Sequence, residues 1–188
     1  MGPSRGSSRT LVIGRSPDVN QSVVEPLLAA GVDAQGSTQP EEASRRYDAR
    51  QFDLIAFGRG IPGPLRDRLK REFTARNPRI RLVDVIAPVA VRQIMAALAR
   101  DPESPAFVRD IAVSRGEAED QVSATVVEGC HVTLTLYRVT DGRLVPELLA
   151  EGDVTPGRRV WRSAAGTVDD AHSLVLIAND DEYHLHPF

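Results

Sequence analysis

The stretch Phe52-Asp-Leu-Ile-Ala-Phe57 is followed directly by the loop Gly58-Arg-Gly-Ile-Pro-Gly-Pro64. A short apolar run that ends in glycine and proline is typical of a strand buried on both faces of a parallel sheet. Two further runs have the same form, Thr10-Leu-Val-Ile-Gly14 and Ile80-Arg-Leu-Val-Asp-Val-Ile86, and Val32–Gly36 is a weaker one. These four runs predict the strands of one parallel sheet.

Helical patterns follow each of these strands. The first helix has two candidate starts. One is Ser16, which would cap a helix that has Pro17 at its first position. The other is the capping box Ser22–Glu25, which would place Pro26 near the first turn. The remaining helical patterns are Thr38–Asp48, Leu65–Arg76 and Val89–Arg100. Four alternations of strand and helix predict an α/β domain with helices on both faces of the sheet.

The second half of the chain has short runs of alternating apolar and polar residues, separated by turn residues. The runs are Val108–Val113, Val122–Val127, Val132–Val139, Val145–Ala150, Arg159–Trp161, Leu174–Ala178 and Tyr183–His186. Six or seven strands in about 80 residues predict a small all-β antiparallel sandwich. The run Phe107–Val113 could instead close the first sheet as a fifth strand.

These patterns divide the chain into four parts. Residues 1–9 are rich in glycine, serine and arginine and are predicted to be a disordered tail. Residues 10–100 form the α/β domain. Residues 101–106 are rich in proline and charge, which is typical of a linker, and residues 107–188 form the sandwich.

Charge is divided unevenly between the two halves. Residues 1–100 carry 16 basic and 10 acidic residues, whereas residues 101–188 carry 7 basic and 16 acidic residues. This asymmetry indicates two units with different surfaces, which could attract each other or pair identical chains head to tail. Lys70 is the single lysine among the 23 basic residues.

The composition excludes several classes of protein. Hydrophobic residues make up 41% and charged residues 26% of the chain, as in ordinary globular proteins. No apolar run approaches the roughly 18 residues that a membrane span needs, and the N-terminus lacks the apolar core of a secretory signal. With Cys130 as the only cysteine, no internal disulfide can form. We therefore expect a cytoplasmic protein that does not bind membranes.

The α/β half resembles a response-regulator receiver domain of the flavodoxin-like fold. The resemblance is carried by Asp53-Leu-Ile-Ala-Phe-Gly58 and Ile61-Pro-Gly63. Receivers have an aspartate, four apolar residues, the phosphoacceptor aspartate and then a Met-Pro-Gly loop. The second half resembles a short immunoglobulin- or fibronectin-type module through Thr133–Tyr137, Gly142–Val145 and Thr155–Gly157.

The chain departs from the receiver pattern where receivers carry out chemistry. Receivers place an acidic pair after the first strand, but Gly14-Arg-Ser16 stands there. The phosphoacceptor position is Gly58, and Lys70 lies inside the third helix instead of following a late strand. Metal-assisted phosphoryl transfer needs carboxylates on the cation and a positive charge on the phosphate. We therefore expect a pseudo-receiver that does not accept phosphate by the family's route.

The carboxyl edge of the predicted parallel sheet is the place where such folds bind ligands. Two sequence segments should meet there, and arginines beside glycines near a capped helix start would suit an anion. The candidate ligand-binding residues are Gly14, Arg15, Ser16, Gly58, Arg59 and Gly60. The alternative is that the glycines form tight turns and the arginines face water.

Two other clusters could carry chemistry. Cys130 and His131 are adjacent and could be a nucleophile with its base. Neighbouring residues on a strand point to opposite faces, however, so the two side chains could not meet. We therefore expect Cys130 to be a buried structural cysteine. His184 and His186 share one strand face, with His172 nearby in sequence. They could begin a metal site, but the spacing fixes no third ligand, so we predict no metal and no cofactor.

The third helix lies in a basic stretch, which could indicate nucleic-acid binding. Its basic residues are Arg66, Arg68, Lys70, Arg71, Arg76, Arg79 and Arg81. Asp67 and Glu72 dilute this charge and no aromatic residues alternate with it. We expect a solvated face or a docking surface for the acidic half, and no nucleic-acid partner.

The sequence therefore favours a non-enzymatic regulatory or scaffolding protein. Such a protein would act through a protein partner or through self-association, as a homo-oligomer. The alternative is a small-molecule-binding protein or an enzyme, with a small anion bound at the carboxyl edge by Arg15 and Arg59. A third hypothesis is a metal-dependent activity through the histidines of the sandwich.

Overall fold

The computed structural model describes residues 8–188. These residues divide into two compact units, of which the first ends at Ala99 and the second is Arg100–Phe188. Most of the predicted tail, residues 1–7, lies outside the described residues. The prediction is wrong at Arg9, which is the first residue of strand β1.

The first unit contains a four-stranded sheet in the order β2-β1-β3-β4, with every neighbouring pair parallel. Its strands are β1 (Arg9–Ile13), β2 (Asp33–Ser37), β3 (Leu54–Gly58) and β4 (Arg81–Val85). All four side chains of Leu54-Ile-Ala-Phe57 are fully buried. A continuous apolar run indicates a strand that is covered on both faces of its sheet, and this strand is covered in that way.

Helices cover both faces of this sheet. They are α1 (Pro17–Ala29), α2 (Ala43–Arg46), α3 (Gly63–Arg76) and α4 (Ala90–Ala99). One core contains side chains from α1 and α4, and the other contains side chains from α2 and α3. Short 3₁₀ turns occupy Pro40–Glu42, Ala49–Gln51 and Ala87–Val89. The predicted helix Thr38–Asp48 is thus shorter than expected, because it is divided between a 3₁₀ turn and one turn of α2.

Helix α1 begins at the first of its two candidate starts. Ser16 is the N-cap, and its side chain accepts a hydrogen bond from the Val19 amide. The alternative start at the capping box is wrong, since the helix runs straight through Pro26. Pro26 is exposed, so water can satisfy the Ser22 carbonyl that loses its helical donor.

The second unit consists of two antiparallel sheets, with strand orders β11-β10-β7-β8 and β5-β6-β9. Its strands are β5 (Val108–Ser114), β6 (Glu119–Val126), β7 (Cys130–Thr140), β8 (Arg143–Val154), β9 (Gly157–Ala164), β10 (Ala171–Ala178) and β11 (Glu182–Pro187). Each of the seven predicted runs overlaps one strand. Both sheets contribute to one core, with Val122 and Ala124 on one side and Leu134 and Leu176 on the other.

The structure settles the one assignment that the pattern left open, and it places the predicted linker, residues 101–106, inside the second unit. Strand β5 pairs with β6, so Phe107–Val113 belongs with the second unit. The predicted linker is also ordered within that unit: the Ser104 amide donates to the Asp101 carbonyl (3.0 Å), and Arg100 donates to the Pro105 carbonyl (2.5 Å). Among the described residues, no helix is long and apolar enough to cross a membrane.

Candidate functional site

The six residues predicted to bind a ligand lie at one edge of the parallel sheet. Strands β1 and β3 are neighbours in register, with Ile13 beside Phe57. The segments that follow them therefore leave the sheet side by side. The chains are close here, because a Cβ atom on Gly58 would lie 3.2 Å from the Ile13 carbonyl oxygen. Glycine at position 58 thus serves a close backbone approach.

The first segment is occupied by contacts within the protein. Arg15 forms an ion pair with Glu41, which lies in the 3₁₀ turn after β2. Both side chains are about half exposed, so this pair contributes little to stability. Ser16 uses its hydroxyl group to cap α1. Of the two arginines that were predicted to bind a ligand, Arg15 therefore already has an anionic partner within the protein.

Beside the second segment lies a charged group that sequence reasoning missed, which we call the Asp84 cluster: Arg59, Arg66, Lys70 and Asp84. Lys70 Nζ lies 2.7 Å from one Asp84 carboxylate oxygen, and Arg66 Nε lies 3.6 Å from the other. Arg66 and Lys70 are one helical turn apart on α3, and Asp84 lies on β4. Asp84 is a charged residue inside the apolar run Ile80–Ile86, and this was the sequence signal that could have revealed the cluster.

Arg59 faces the same cluster. Burial lowers the pKa of its guanidinium, the positive charge of Arg66 lowers it further, and Asp84 opposes both effects. Arg66 and Lys70 thus pair with the Asp84 carboxylate, and Arg59 lies within the electrostatic reach of Arg66 and Asp84. The Arg66 side chain is only 12% exposed, and Lys70 also lies over the Phe57 ring, 5.8 Å from its centroid.

Much of the remaining charge in the basic stretch is used inside the first unit. Arg76 donates to the Ser44 carbonyl, and Arg81 donates to the Leu98 carbonyl (3.2 Å). Arg68 lies 3.7 Å from Glu72 on the next turn of α3. The expected solvated basic face is therefore smaller than the sequence suggests, because several of its arginines fix neighbouring segments.

The second unit has its own buried charge, Glu182. Its carboxylate accepts hydrogen bonds from the amides of Phe107 (2.8 Å) and Val108 (2.9 Å) and contacts His184 Nε2 (2.6 Å). Arg100 forms an ion pair with it at 2.8 Å. Burial opposes ionisation, but the hydrogen bonds from His184 and the two amides outweigh it and lower the pKa of Glu182. Glu182 thus fastens the start of β5 to the β10–β11 hairpin, which is a structural role.

The histidines of the sandwich are engaged in other contacts. The His172 ring lies 2.9 Å from the Ser173 hydroxyl, and His186 packs edge-on against Phe188, with ring centroids 5.3 Å apart. Within residues 8–188, no three His, Cys, Asp or Glu side chains are placed to hold a metal ion.

Cys130 and His131 point to opposite faces of β7, as predicted. Cys130 is buried in the core, and burial raises the pKa of its thiol. The exposed His131 ring lies 2.9 Å from an Asp153 carboxylate oxygen, and this contact raises the pKa of the imidazole. The thiol and the imidazole therefore do not form a nucleophile with its base.

Comparison with known proteins gives distant similarities. No family model and no curated protein matches the chain. Among solved structures, a β-glucosidase from Listeria innocua bound to gluconolactone has a TM-score of 0.35 and 9% identity, covering 98% of this chain and 46% of that one. The host-selective toxin Ptr ToxA from Pyrenophora tritici-repentis has a TM-score of 0.30 and 16% identity, covering 39% of this chain and 74% of that one.

A third similarity is to the sensor domain of the anti-sigma factor RsgI4 from Pseudobacteroides cellulosolvens. Its TM-score is 0.29 and its identity 16%, covering 45% of this chain and 95% of that domain. All three scores and identities are low, so these similarities assign neither a fold family nor a function.

Proposed function

We propose that this chain is a non-enzymatic regulatory or scaffolding protein, a phosphorylation-independent pseudo-receiver joined to an immunoglobulin- or fibronectin-like sandwich. The strand order β2-β1-β3-β4 supports the receiver-like part, since it equals the first four positions of the flavodoxin-like order 2-1-3-4-5. Helix α1 lies on one face of the sheet and helices α2 and α3 lie on the other, as right-handed crossovers in this order require. Helix α4 departs from the flavodoxin-like arrangement, because it packs beside α1 and, among the described residues, no fifth strand follows β4 in the sheet.

The observation that carries the proposal is the chemistry of the carboxyl edge. A phosphoacceptor would have to lie at Gly58, where even a Cβ atom is tightly placed against the Ile13 carbonyl. Lys70, the only lysine, is ion-paired with Asp84. The scaffold thus keeps its helix faces and sheet edges for recognition while the groups for phosphoryl transfer are replaced.

We assign self-association to the hairpin of β7 and β8. Val139, Val145 and Leu148 on this hairpin are 57%, 46% and 57% exposed. Strand β8 ends its sheet, and no described strand pairs with its outer edge. Such edges are templates for pairing with a second chain.

Charge complementarity favours a second copy of this chain as the partner. Antiparallel pairing of two β8 strands centred on Leu148 places Arg143 opposite Asp153 of the second copy. The same register avoids direct contact between the two Glu147 carboxylates. Pro146 lacks an amide donor, so we expect a reversible dimer that depends on protein concentration.

Sedimentation velocity over a concentration series tests this proposal. The unmodified protein should sediment faster as its concentration rises, and Leu148→Lys should remove this dependence, because it places two like charges at the centre of the interface. Leu28→Lys is the matched control, since Leu28 is 51% exposed on α1 in the other unit. A protein that is monomeric at every concentration, or equal behaviour of the two variants, would contradict self-association through β8.

A further inference from the structure

The parallel sheet of the first unit ends at the outer edge of strand β4. No described strand pairs with this edge. The Arg81 amide donates to the Asp53 carbonyl of the preceding segment (3.1 Å), so the backbone groups of Arg81 point toward β3. Backbone groups alternate in direction along a strand, so those of Asp84 and of Ile86, the residue after β4, point to the open side. Such an edge is a template for the addition of a further strand.

The side chain of Gln93, on helix α4, occupies two hydrogen-bonding positions at this edge. Its Nε2 donates to the Asp84 carbonyl (3.3 Å), and its Oε1 accepts from the Ile86 amide (3.1 Å). The carbonyl needs a donor and the amide needs an acceptor, so the two bonds fix the orientation of the carboxamide. Gln93 is only 4% exposed, and a buried polar side chain is retained where it makes such bonds.

These two bonds have the pattern that a parallel strand would make. In a parallel pair, a residue of one strand donates its amide to the carbonyl that precedes its partner residue and accepts from the amide that follows it. Asp84 and Ile86 flank Val85. The Gln93 carboxamide therefore stands where a residue of a fifth strand, opposite Val85, would stand. A strand can be added along the whole of β4 only after Gln93 has left this position.

Charged side chains lie beside the same edge on the other face of the sheet. The Asp84 carboxylate contacts Lys70 (2.7 Å) and Arg66 (3.6 Å), both on α3. Helices α3 and α4 cover opposite faces of the sheet, so the Asp84 cluster and Gln93 flank the edge from both sides. Charged groups at an edge strand, lysine above all, are a common means of preventing strand addition.

We propose that the Gln93 carboxamide is an autoinhibitory cap, which takes the place of a fifth strand and prevents the β4 edge from pairing with the β4 edge of a second copy of this chain. Removal of the cap leaves the Asp84 carbonyl and the Ile86 amide without their partners, and buried backbone groups in that state favour any arrangement that satisfies them. This device goes beyond the proposed function and does not depend on the association assigned to β8, because it lies in the other unit.

A second copy can satisfy both groups. Two copies related by a two-fold axis pair their edges antiparallel. In a register centred on Val83, Leu82 of the second copy lies opposite Asp84 and donates its amide to the freed carbonyl. Ile80 of the second copy then lies opposite Ile86, and its carbonyl accepts from the freed amide.

Sedimentation velocity of the full chain in the Leu148→Lys background tests the cap, because that substitution removes the association proposed for β8. Addition of Gln93→Met, which keeps the approximate volume but removes the carboxamide, should make the protein sediment faster as its concentration rises. Gln35→Met is the matched control, since Gln35 is exposed on β2 at the opposite edge of the same sheet. The control gains the same apolar group but should sediment like its Leu148→Lys parent.

Each variant is compared with the Leu148→Lys parent, so a failure of the β8 proposal, which the parent shows by itself, remains distinguishable from a failure of the cap. Equal sedimentation of the Gln93→Met and Gln35→Met proteins would overturn the proposal. A folded Gln93→Met protein that sediments like the parent would do so as well, because Gln93 would then only satisfy its neighbours.

Hydrogen exchange in the unmodified protein tests the cap without a variant that must fold. The Ile86 and Asp84 amides point to the same open side of β4, but only the Ile86 amide donates to Gln93. After correction for intrinsic rates, we expect the Ile86 amide to exchange at least about tenfold more slowly than the Asp84 amide in NMR spectra. Equal exchange of the two amides would overturn the proposal, because Gln93 would then not occupy the edge.

Discussion

Replacement of Glu182 by alanine is expected to lower the free energy of unfolding of the second unit by about 3 kcal/mol. The substitution removes the acceptor for the Phe107 and Val108 amides and the buried partner of Arg100. The Glu182 side chain is only 8% exposed, so water cannot readily replace it. The start of β5 should then separate from the β10–β11 hairpin.

Urea unfolding followed by Trp161 fluorescence measures this effect. Trp161 is the only tryptophan and packs against the core of the second unit. Asp181→Ala is a matched control, because Asp181 also pairs with Arg100, at 3.4 Å, but is 53% exposed. We expect the control to change stability by less than about 0.5 kcal/mol. Equal losses in the two variants would show that Glu182 does not fasten β5.

The same carboxylate should make the second unit sensitive to acid. Because the native pKa of Glu182 is lowered, its ionised form is favoured in the folded state. Its contribution is fully present above the unfolded-state pKa, about 4.5, and is lost as pH falls through the lower native pKa. The Glu182→Gln variant should show a smaller loss of stability than the unmodified protein over that acidic range.

The substitution Gly36→Ala should destabilise the first unit by about 2 kcal/mol. A Cβ atom on Gly36 would lie 2.0 Å from Oδ1 of Asn20. The buried Asn20 side chain joins β1 to β2, since it donates to the carbonyls of Val12 (3.0 Å) and Ser37 (3.3 Å). The methyl group would displace this amide and leave both carbonyls without their donor.

Circular dichroism of the helices reports this effect, because every helix of the described chain lies before Arg100. Gly60→Ala is the control, since a Cβ atom at Gly60 would meet no neighbour within 4 Å. We expect its midpoint to stay close to that of the unmodified protein. If the midpoint of Gly36→Ala also stays unchanged, the Asn20 bridge does not hold the two strands together.

The local elements of both units could be predicted from the sequence, because apolar periodicity and turn residues act over a few neighbouring positions. The run at Leu54–Phe57 and the seven runs of the second unit correspond to strands for this reason. Pro26 suggested a later start for helix α1, but the helix continues through this residue because Pro26 is exposed. Exposure depends on tertiary packing, which the local sequence does not show.

The long-range features could not be predicted. The pattern of Phe107–Val113 fits either sheet, and only its pairing with β6 assigns it to one unit. The Asp84 cluster joins a loop, a helix and a strand, and a pattern within any one of them does not show that they meet. The contacts of Glu182 could not be predicted either, since its amide partners lie more than 70 residues earlier in the chain.

The proposal that the first unit works without phosphoryl transfer is tested most directly by intact-mass spectrometry. The full-length protein is incubated with acetyl phosphate and Mg²⁺, beside a phosphorylatable receiver protein as a positive control. We predict an unchanged mass for this chain, because Gly58 stands at the acceptor position and Lys70 is held by Asp84. A stoichiometric mass increase of one phosphoryl group would contradict the proposal and show that another side chain accepts phosphate.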